Sequence, residues 1–173
     1  GDKDTLMITE NTQPAILTMS VAALRVAERL GLTPDVVAGL SLGEYTAHVA
    51  SGSMEFTDAV KLVKKRGKYM QEEVPLGVGA MAAIIALTPE DVKEICKQAS
   101  SKGICEPANF NCPGQITVAG EVAAVEYACE LAKEKGAKRA MLMPVSAPFH
   151  CSMLKGAGEK LEKELENVTV SEM

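Results

Sequence analysis

A serine flanked by glycines, Gly39-Leu40-Ser41-Leu42-Gly43-Glu44, follows the apolar run Val36-Val37-Ala38 and leads into the helix-like stretch Tyr45-Thr46-Ala47-His48-Val49-Ala50. G-x-S-x-G between a strand and a helix is the pattern of a nucleophile elbow, a turn so tight that its flanking positions tolerate little side-chain bulk. A lone G-x-S-x-G says little. Its context here favours a nucleophilic Ser41 over a serine that merely caps a βα turn, and the chemistry it would perform is attack on a carbonyl to form an acyl-serine.

A hydroxyl needs a base, and near neutral pH histidine is the natural one. The chain has two histidines. His48 lies seven residues past Ser41 on the same expected helix, about 10 Å along its axis, beyond hydrogen-bonding reach. It reads as structural. His150 follows the Pro-containing segment Ser146-Ala147-Pro148-Phe149 and is far enough along the chain to return to the elbow. It is either the base or an ordinary loop histidine. No Asp or Glu stands out as a third triad member: Glu44 sits on the first helical turn, where a carboxylate also suits the helix N-terminus. The backbone N–H of Leu42 is the expected oxyanion donor, and no second donor is apparent.

Arg66 shares its expected helix with Lys61, Lys64, Lys65 and Lys68. By pattern it is one more cation on a solvated face; alternatively, its planar guanidinium grips a substrate carboxylate with two parallel hydrogen bonds, which lysine cannot copy. The five cysteines, Cys96, Cys105, Cys112, Cys129 and Cys151, form no C-x-x-C pair and read as reduced thiols. Cys151 beside His150 suits packing better than catalysis. No H-x-x-x-H or Cys-rich spacing exists, so no metal site is expected.

These groups need elements to hold them, and three segments supply them. In residues 1–76, a helix opens at Thr12-Gln13-Pro14 with Ile16, Met19, Ala23, Val26, Ala27 and Leu30 at helical spacing and stops at Gly31. The elbow strand and its helix follow, then a helix N-capped by Thr57 and running to Met70. Residues 77–145 contain a strand over Ala80–Leu87, then a helix with Thr88 as N-cap, Pro89 at its first position and Asp91 at its third. Strands over 104–110 and 115–120 are joined by Asn111-Cys112-Pro113-Gly114. A helix over 122–135 and a strand over 138–145 complete the unit. That order, β-α-β-β-α-β, is the split βαβ arrangement of ferredoxin-like domains. Residues 146–173 carry His150, a charged helix over 152–166, and Val168-Thr169-Val170 as the start of a further strand.

The chain has 173 residues, 47% hydrophobic, and a net charge of −5 spread along interleaved Lys and Glu. No basic stripe tracks a phosphate backbone, so nucleic acid is not an expected partner. No run approaches the ~20 apolar residues of a membrane span, and Gly1-Asp2-Lys3-Asp4 lacks a secretory core, so the expected location is cytoplasmic.

Thr12-Gln13-Pro14-Ala15, Gly39–Tyr45, Arg66-Gly67-Lys68-Tyr69-Met70-Gln71, Gly79–Ile84, Asn109–Gln115 and Pro144–His150, taken together and in order, resemble the malonyl-CoA:acyl-carrier-protein transacylase family. The resemblance implies an α/β fold: part of an α/β-hydrolase-like core with an inserted ferredoxin-like subdomain. It implies a ping-pong transfer with no bound cofactor, in which Ser41, with His150 as base, takes the malonyl group from malonyl-CoA. The phosphopantetheine thiol of acyl carrier protein then accepts it. Arg66 would hold the malonyl carboxylate. Phe149 occupies the position that correlates, in related polyketide acyltransferases, with choosing malonyl over branched extenders. Gln13, Leu40, Met70, Asn109, Asn111 and Gln115 would line the substrate and pantetheine cleft, although turn-forming Asn and Gly explain the Asn111–Gly114 loop equally well.

Two departures from the family stand out. Leu40 replaces the histidine that usually precedes the nucleophile, which leaves the Leu42 donor untouched. The family's N-terminal strand with its G-Q-G loop and oxyanion glutamine, and the C-terminal part that orients the histidine, have no counterpart here. The expectation is therefore the middle portion of an enzyme. A serine esterase or thioesterase, which has no need of Arg66, and an inert fragment acting as a folding or interaction module are the competing readings.

Overall fold

In the computed structural model residues 1–145 and 147–172 are described; Ser146, where the third segment was expected to resume, and Met173 lie outside the described residues. The chain divides into two compact units, residues 1–69 with 158–173, and residues 70–157.

In the second unit the unbroken apolar run over 80–85 makes a strand, β1 (Gly79–Ile85), with Met81, Ala82 and Ile84 buried. Thr88 then caps α5 (Pro89–Ala99): its hydroxyl accepts from the Asp91 amide at 3.1 Å, and Pro89 stands where a missing N–H leaves no bond unmade. A 3-10 turn (Ser100–Lys102) follows the helix directly. Strands β2 (Cys105–Cys112) and β3 (Gln115–Glu121) form a hairpin across Pro113-Gly114, with register shifts at Pro107/Asn109 and Phe110/Cys112. After α6 (Val122–Glu134) comes β4 (Arg139–Leu142). The last strand is shorter than the expected 138–145; Met143 N–H still reaches the Met81 carbonyl, but Pro144 has no N–H to continue the ladder.

The four strands lie in the order β2-β3-β1-β4 and every adjacent pair is antiparallel. Ile84, Ile116 and Val118 on the sheet meet Val92, Ile95 and Ala99 of α5 and Ala124, Val125, Ala128 and Ala132 of α6. The alanines let α6 lie close to the strands, and each large buried side chain adds about 1.5–3 kcal/mol.

In the first unit the described residues form helices only. They are α1 (Lys3–Met7), α2 (Thr9–Arg29), α3 (Leu42–Ala50), α4 (Phe56–Glu73), which belongs to this unit through Tyr69, and the greater part of α7 (Lys155–Leu165). Leu17 and Val21 of α2, Val49 of α3 and Ala59, Leu62 and Val63 of α4 make its core with Met54.

Four expectations for this unit are corrected. Val36-Val37-Ala38 is not a strand, nor is Val168-Thr169-Val170; a strand is a property of a hydrogen-bonded pair, and the described residues of the unit offer no second strand. The α4 helix starts at Phe56, so Thr57 lies inside it; the amides of Asp58 and Ala59 bond to the Glu55 carbonyl. Finally, α2 opens at Thr9 and carries Pro14 within it. Its buried positions are Thr9, Gln13, Leu17 and Val21, whereas Ile16, Met19, Val26 and Leu30 of the expected stripe are exposed. The extra turn at its start is held from α4, where Lys64 pairs with Glu10 at 2.9 Å and bonds Asn11 at 3.0 Å.

The α7 helix is tied to α4 through Glu164, which accepts from Lys65 Nζ at 2.5 Å and from Tyr69 Oη at 2.6 Å. These donors hold its carboxyl below the ordinary carboxylate range, Lys65 first. A depressed folded-state pKa gives stability that is present above the unfolded value, about 4.3, and is lost as pH falls through the folded value. Protection of the α7 amides, the exchange rate taken relative to that of a free peptide at the same pH, is therefore expected to fall on acidification below that range. In Glu164→Gln it should already be low at neutral pH and vary less; equal pH dependence of protection in both proteins would overturn the assignment.

Candidate active site

Ser41 occupies a backbone conformation that L side chains rarely adopt, φ 54 and ψ −107, directly before the first residue of α3. The tightness of the turn is visible at Gly39, where a Cβ would fall on the Gly43 carbonyl and the Glu44 nitrogen. Any side chain there would force the turn open. The turn closes through Gly43 N–H to the Leu40 carbonyl at 2.9 Å and Glu44 N–H to the Ser41 carbonyl at 3.2 Å. The N–H of Leu42, at the start of α3, makes no hydrogen bond among the described residues, so it is available to an oxyanion at the positive end of the helix dipole.

Arg66 comes to this turn from α4. Its Nη2 donates to Ser41 Oγ at 2.9 Å and its Nη1 to Gln13 Oε1 at 2.7 Å, while Gln13 Nε2 donates to Thr9 Oγ1 at 3.0 Å. The guanidinium also lies over the Tyr45 ring, 5.7 Å from its centroid, within cation–π range. Gly67 makes this geometry attainable: a Cβ there would strike the Thr9 carbonyl and the Glu10 backbone, so its absence lets α4 press against the first turn of α2.

Arg66 is only 8% exposed, and no carboxylate pairs with it among the described residues. Burial pulls its pKa below the ordinary guanidinium range, opposed by Tyr45 and Glu44, and pushes the Tyr45 phenol up. A guanidinium stays charged in proteins. The result is a buried cation beside Ser41, wedged between an amide oxygen and an aromatic face.

His150 belongs to the second unit and is exposed, with φ 62. The residues beside it are pinned. Ala147 and Pro148 are fully buried, Cys151 Sγ donates to the Pro148 carbonyl at 3.2 Å, and Glu106 accepts from Ser152 N–H at 2.7 Å and Ser152 Oγ at 2.8 Å. Burial raises the Cys151 thiol pKa, which suits packing.

The structure thus brings together Ser41, Leu42, Arg66 and Gln13, with the exposed Leu40 beside them. Phe149, Met70, Asn109, Asn111 and Gln115 lie in the second unit with His150. There Asn109 pairs with Thr117 across the hairpin, Asn111 Nδ2 reaches Thr117 Oγ1 at 3.3 Å, and Gln115 Oε1 accepts from Cys112 Sγ at 3.7 Å. His48 is occupied by Ser53, Nδ1 to Oγ 2.8 Å.

Three contributors escaped the sequence reading: Thr9, Tyr45 and Glu106. Thr9 stands one turn before Gln13 and Tyr45 one turn after Ser41, spacings that were legible. Glu106 was not, because its partner Ser152 is 46 residues away. Among the described residues no group of three His, Cys, Asp or Glu is placed to hold a metal ion, and no helix is long and apolar enough to cross a membrane.

The model of the acyl transferase domain matches residues 1–173. The chain is 50% identical over 167 residues to the malonyl CoA-acyl carrier protein transacylase of Bacillus subtilis, covering 96% of this chain and 53% of that protein. Among solved structures, the acyl-carrier-protein S-malonyltransferase of Burkholderia pseudomallei superposes with a TM-score of 0.93 at 51% identity, covering 99% of this chain and 56% of that one. A type II polyketide-synthase acyl-carrier protein complex with its malonyl-transacylase gives 0.94 at 46% identity, covering 99% and 56%. The chain belongs to the acyl transferase domain family. It spans about half the length of the relatives it matches.

Proposed function

We propose that this chain carries the acyl-transfer centre of an enzyme that moves a malonyl group from malonyl-CoA to the phosphopantetheine thiol of acyl carrier protein, as in fatty-acid synthesis. The observation that carries this reading is the buried Arg66, without a carboxylate partner among the described residues, 2.9 Å from Ser41 Oγ. A malonyl thioester combines a carbonyl for a serine to attack with a free carboxylate for a guanidinium to hold. An esterase acting on neutral acyl groups gains nothing from a buried cation at its nucleophile and would carry its desolvation cost. The relatives' names point the same way, and the complexed neighbour is a malonyl-transacylase with its carrier protein.

In this mechanism His150 takes the Ser41 proton and Ser41 Oγ attacks the thioester carbonyl. The Leu42 N–H and the α3 N-terminus stabilise the oxyanion as CoA thiolate leaves. Arg66 exchanges its bond to Ser41 for the malonyl carboxylate, which frees the hydroxyl as substrate binds. The carrier thiol then attacks the malonyl ester and regenerates Ser41. CoA thioester is the substrate and no bound cofactor is required. Gln13, Leu40, Met70, Asn109, Asn111, Gln115 and Phe149 line the cleft in this reading.

The proposal extends to the architecture and the setting. Residues 77–145 form a ferredoxin-like subdomain, a reading supported by the β-α-β-β-α-β order and the β2-β3-β1-β4 sheet. It interrupts an α/β-hydrolase-like core to which residues 1–76 and 146–173 contribute, and the enzyme works in the cytoplasm.

The test is incubation of the full-length protein with malonyl-CoA labelled in the malonyl group. Stable label on the protein, absent in Ser41→Ala and discharged by holo acyl carrier protein, is expected. Rapid release of free malonate without stable label would make the protein a hydrolase, and no labelling of a folded wild-type protein would reject both.

A further inference from the structure

Within the second unit Cys96, on the last turns of α5, and Cys105, the first residue of β2, stand with their sulfurs 3.8 Å apart, both free and both nearly buried. The residues between them comprise the end of α5, the 3-10 turn and Gly103, so the two thiols face each other across one tight connection. The other three cysteines have different partners or surroundings. Cys112 leans on Gln115, Cys151 on the Pro148 carbonyl, and Cys129 lies on α6 with its thiol pushed up by burial.

We propose that Cys96 and Cys105 form a reversible disulfide when the protein meets a hydroperoxide, making this thiol pair a site of two-electron oxidation distinct from the acyl-transfer centre. A disulfide needs sulfurs about 2.05 Å apart, so the gap closes by less than 2 Å, within reach of rotation about the two Cα–Cβ bonds. Cys105 Sγ donates to Cys96 Sγ, and of the two it is Cys105 that lines an open cavity, so Cys105 is the sulfur that meets the oxidant, reacting as its thiolate. Access is provided by an open cavity of about 330 Å³ that Cys105 lines with Ser100, Gly103, Ile104, Glu106 and Glu121.

The step balances. Cys105 thiolate attacks a peroxide oxygen, the O–O bond breaks, and hydroxide leaves and is protonated to water, giving the sulfenic acid. Cys96 sulfur then attacks Cys105 sulfur, the S–O bond breaks, and a second water departs with the Cys96 proton. Two electrons and two protons pass from the thiols to hydrogen peroxide. Glu106, next to Cys105, grips Ser152 two residues past His150, so the crosslink forms at the root of that clamp.

The full-length protein, fully reduced and then treated with hydrogen peroxide, is quenched, unfolded and alkylated. Of the five cysteines of this chain, Cys96 and Cys105 are expected to escape alkylation and to regain it after dithiothreitol. Tryptic peptide 94–97 should be recovered joined to peptide 103–133. The joined peptide should persist in Cys112→Ser and vanish in Cys105→Ser. Wild-type protein whose Cys96 and Cys105 remain alkylated at a dose that oxidises Cys112 overturns the proposal without reference to any variant's folding. So does an undiminished joined peptide in Cys105→Ser.

Discussion

Exchanging Ser41 for glycine is expected to abolish acyl transfer while leaving the protein at least as stable as wild type. Removal of a catalytic serine lowers turnover by about 10⁴–10⁶-fold in enzymes of this chemistry. Stability should move the other way because Ser41 sits at φ 54, ψ −107, a conformation that is strained by about 1–3 kcal/mol for a residue with a Cβ. Glycine adopts it freely. The loss includes the hydrogen bond from Arg66 Nη2, and since Ser41 is only half-buried, water can take the place of lost partners. As the residue before α3, Ser41 makes no side-chain cap bond, so the usual advantage of serine over glycine at a helix start does not apply. Urea unfolding of both proteins is the check. A Ser41→Gly protein less stable than wild type by more than about 1 kcal/mol would mean that the turn is not strained in the way described.

Exchanging Arg66 for alanine is expected to lower kcat/KM for malonyl-CoA by about 10²–10⁴-fold, the effect of removing paired hydrogen bonds to a charged group worth about 1.5–3 kcal/mol each. Acetyl-CoA, which has no carboxylate to hold, should be turned over no more slowly than by wild type. The informative quantity is therefore the malonyl-to-acetyl ratio. Arg66→Lys should fall between the two, since an ammonium keeps the charge but not the planar fork that also engages Gln13 Oε1. Equal losses for both substrates would reduce Arg66 to a packing residue. Folding is not expected to fail, because removing a buried charge that has no ionic partner among the described residues also removes its desolvation cost.

How much of this was legible depended on how local the determining contacts are. Thr88, Pro89 and Asp91 were read correctly as a helix start because the bonds that cap α5 join residues three apart. The succession of elements over 79–142 was likewise readable from periodicity and from Pro113-Gly114, with ends off by a few residues. The strand over Val36–Ala38 was not, since apolar residues become a strand only against a partner. Nor was the buried face of α2: Ile16, Met19, Val26 and Leu30 keep helical spacing as well as Thr9, Gln13, Leu17 and Val21 do, and the packing of the first unit covers the second set. Polar Thr9 and Gln13 are inside because Arg66 requires an acceptor there.

The sequence by itself determined the chemical vocabulary: a serine in a turn that needs glycine at position 39, an arginine on a helix, and elements whose starts and stops are set by residues three or four apart. Only the tertiary structure decided that Arg66 is a buried cation bonded to Ser41 and not one of five cations on a solvated face. It also decided that two of the five scattered cysteines confront each other. The physical reason is the same in both cases. Burial and pairing across 25 residues, or across a turn between a helix and a strand, depend on how close backbones approach. That approach is set by features such as the missing Cβ of Gly67, which no local pattern records.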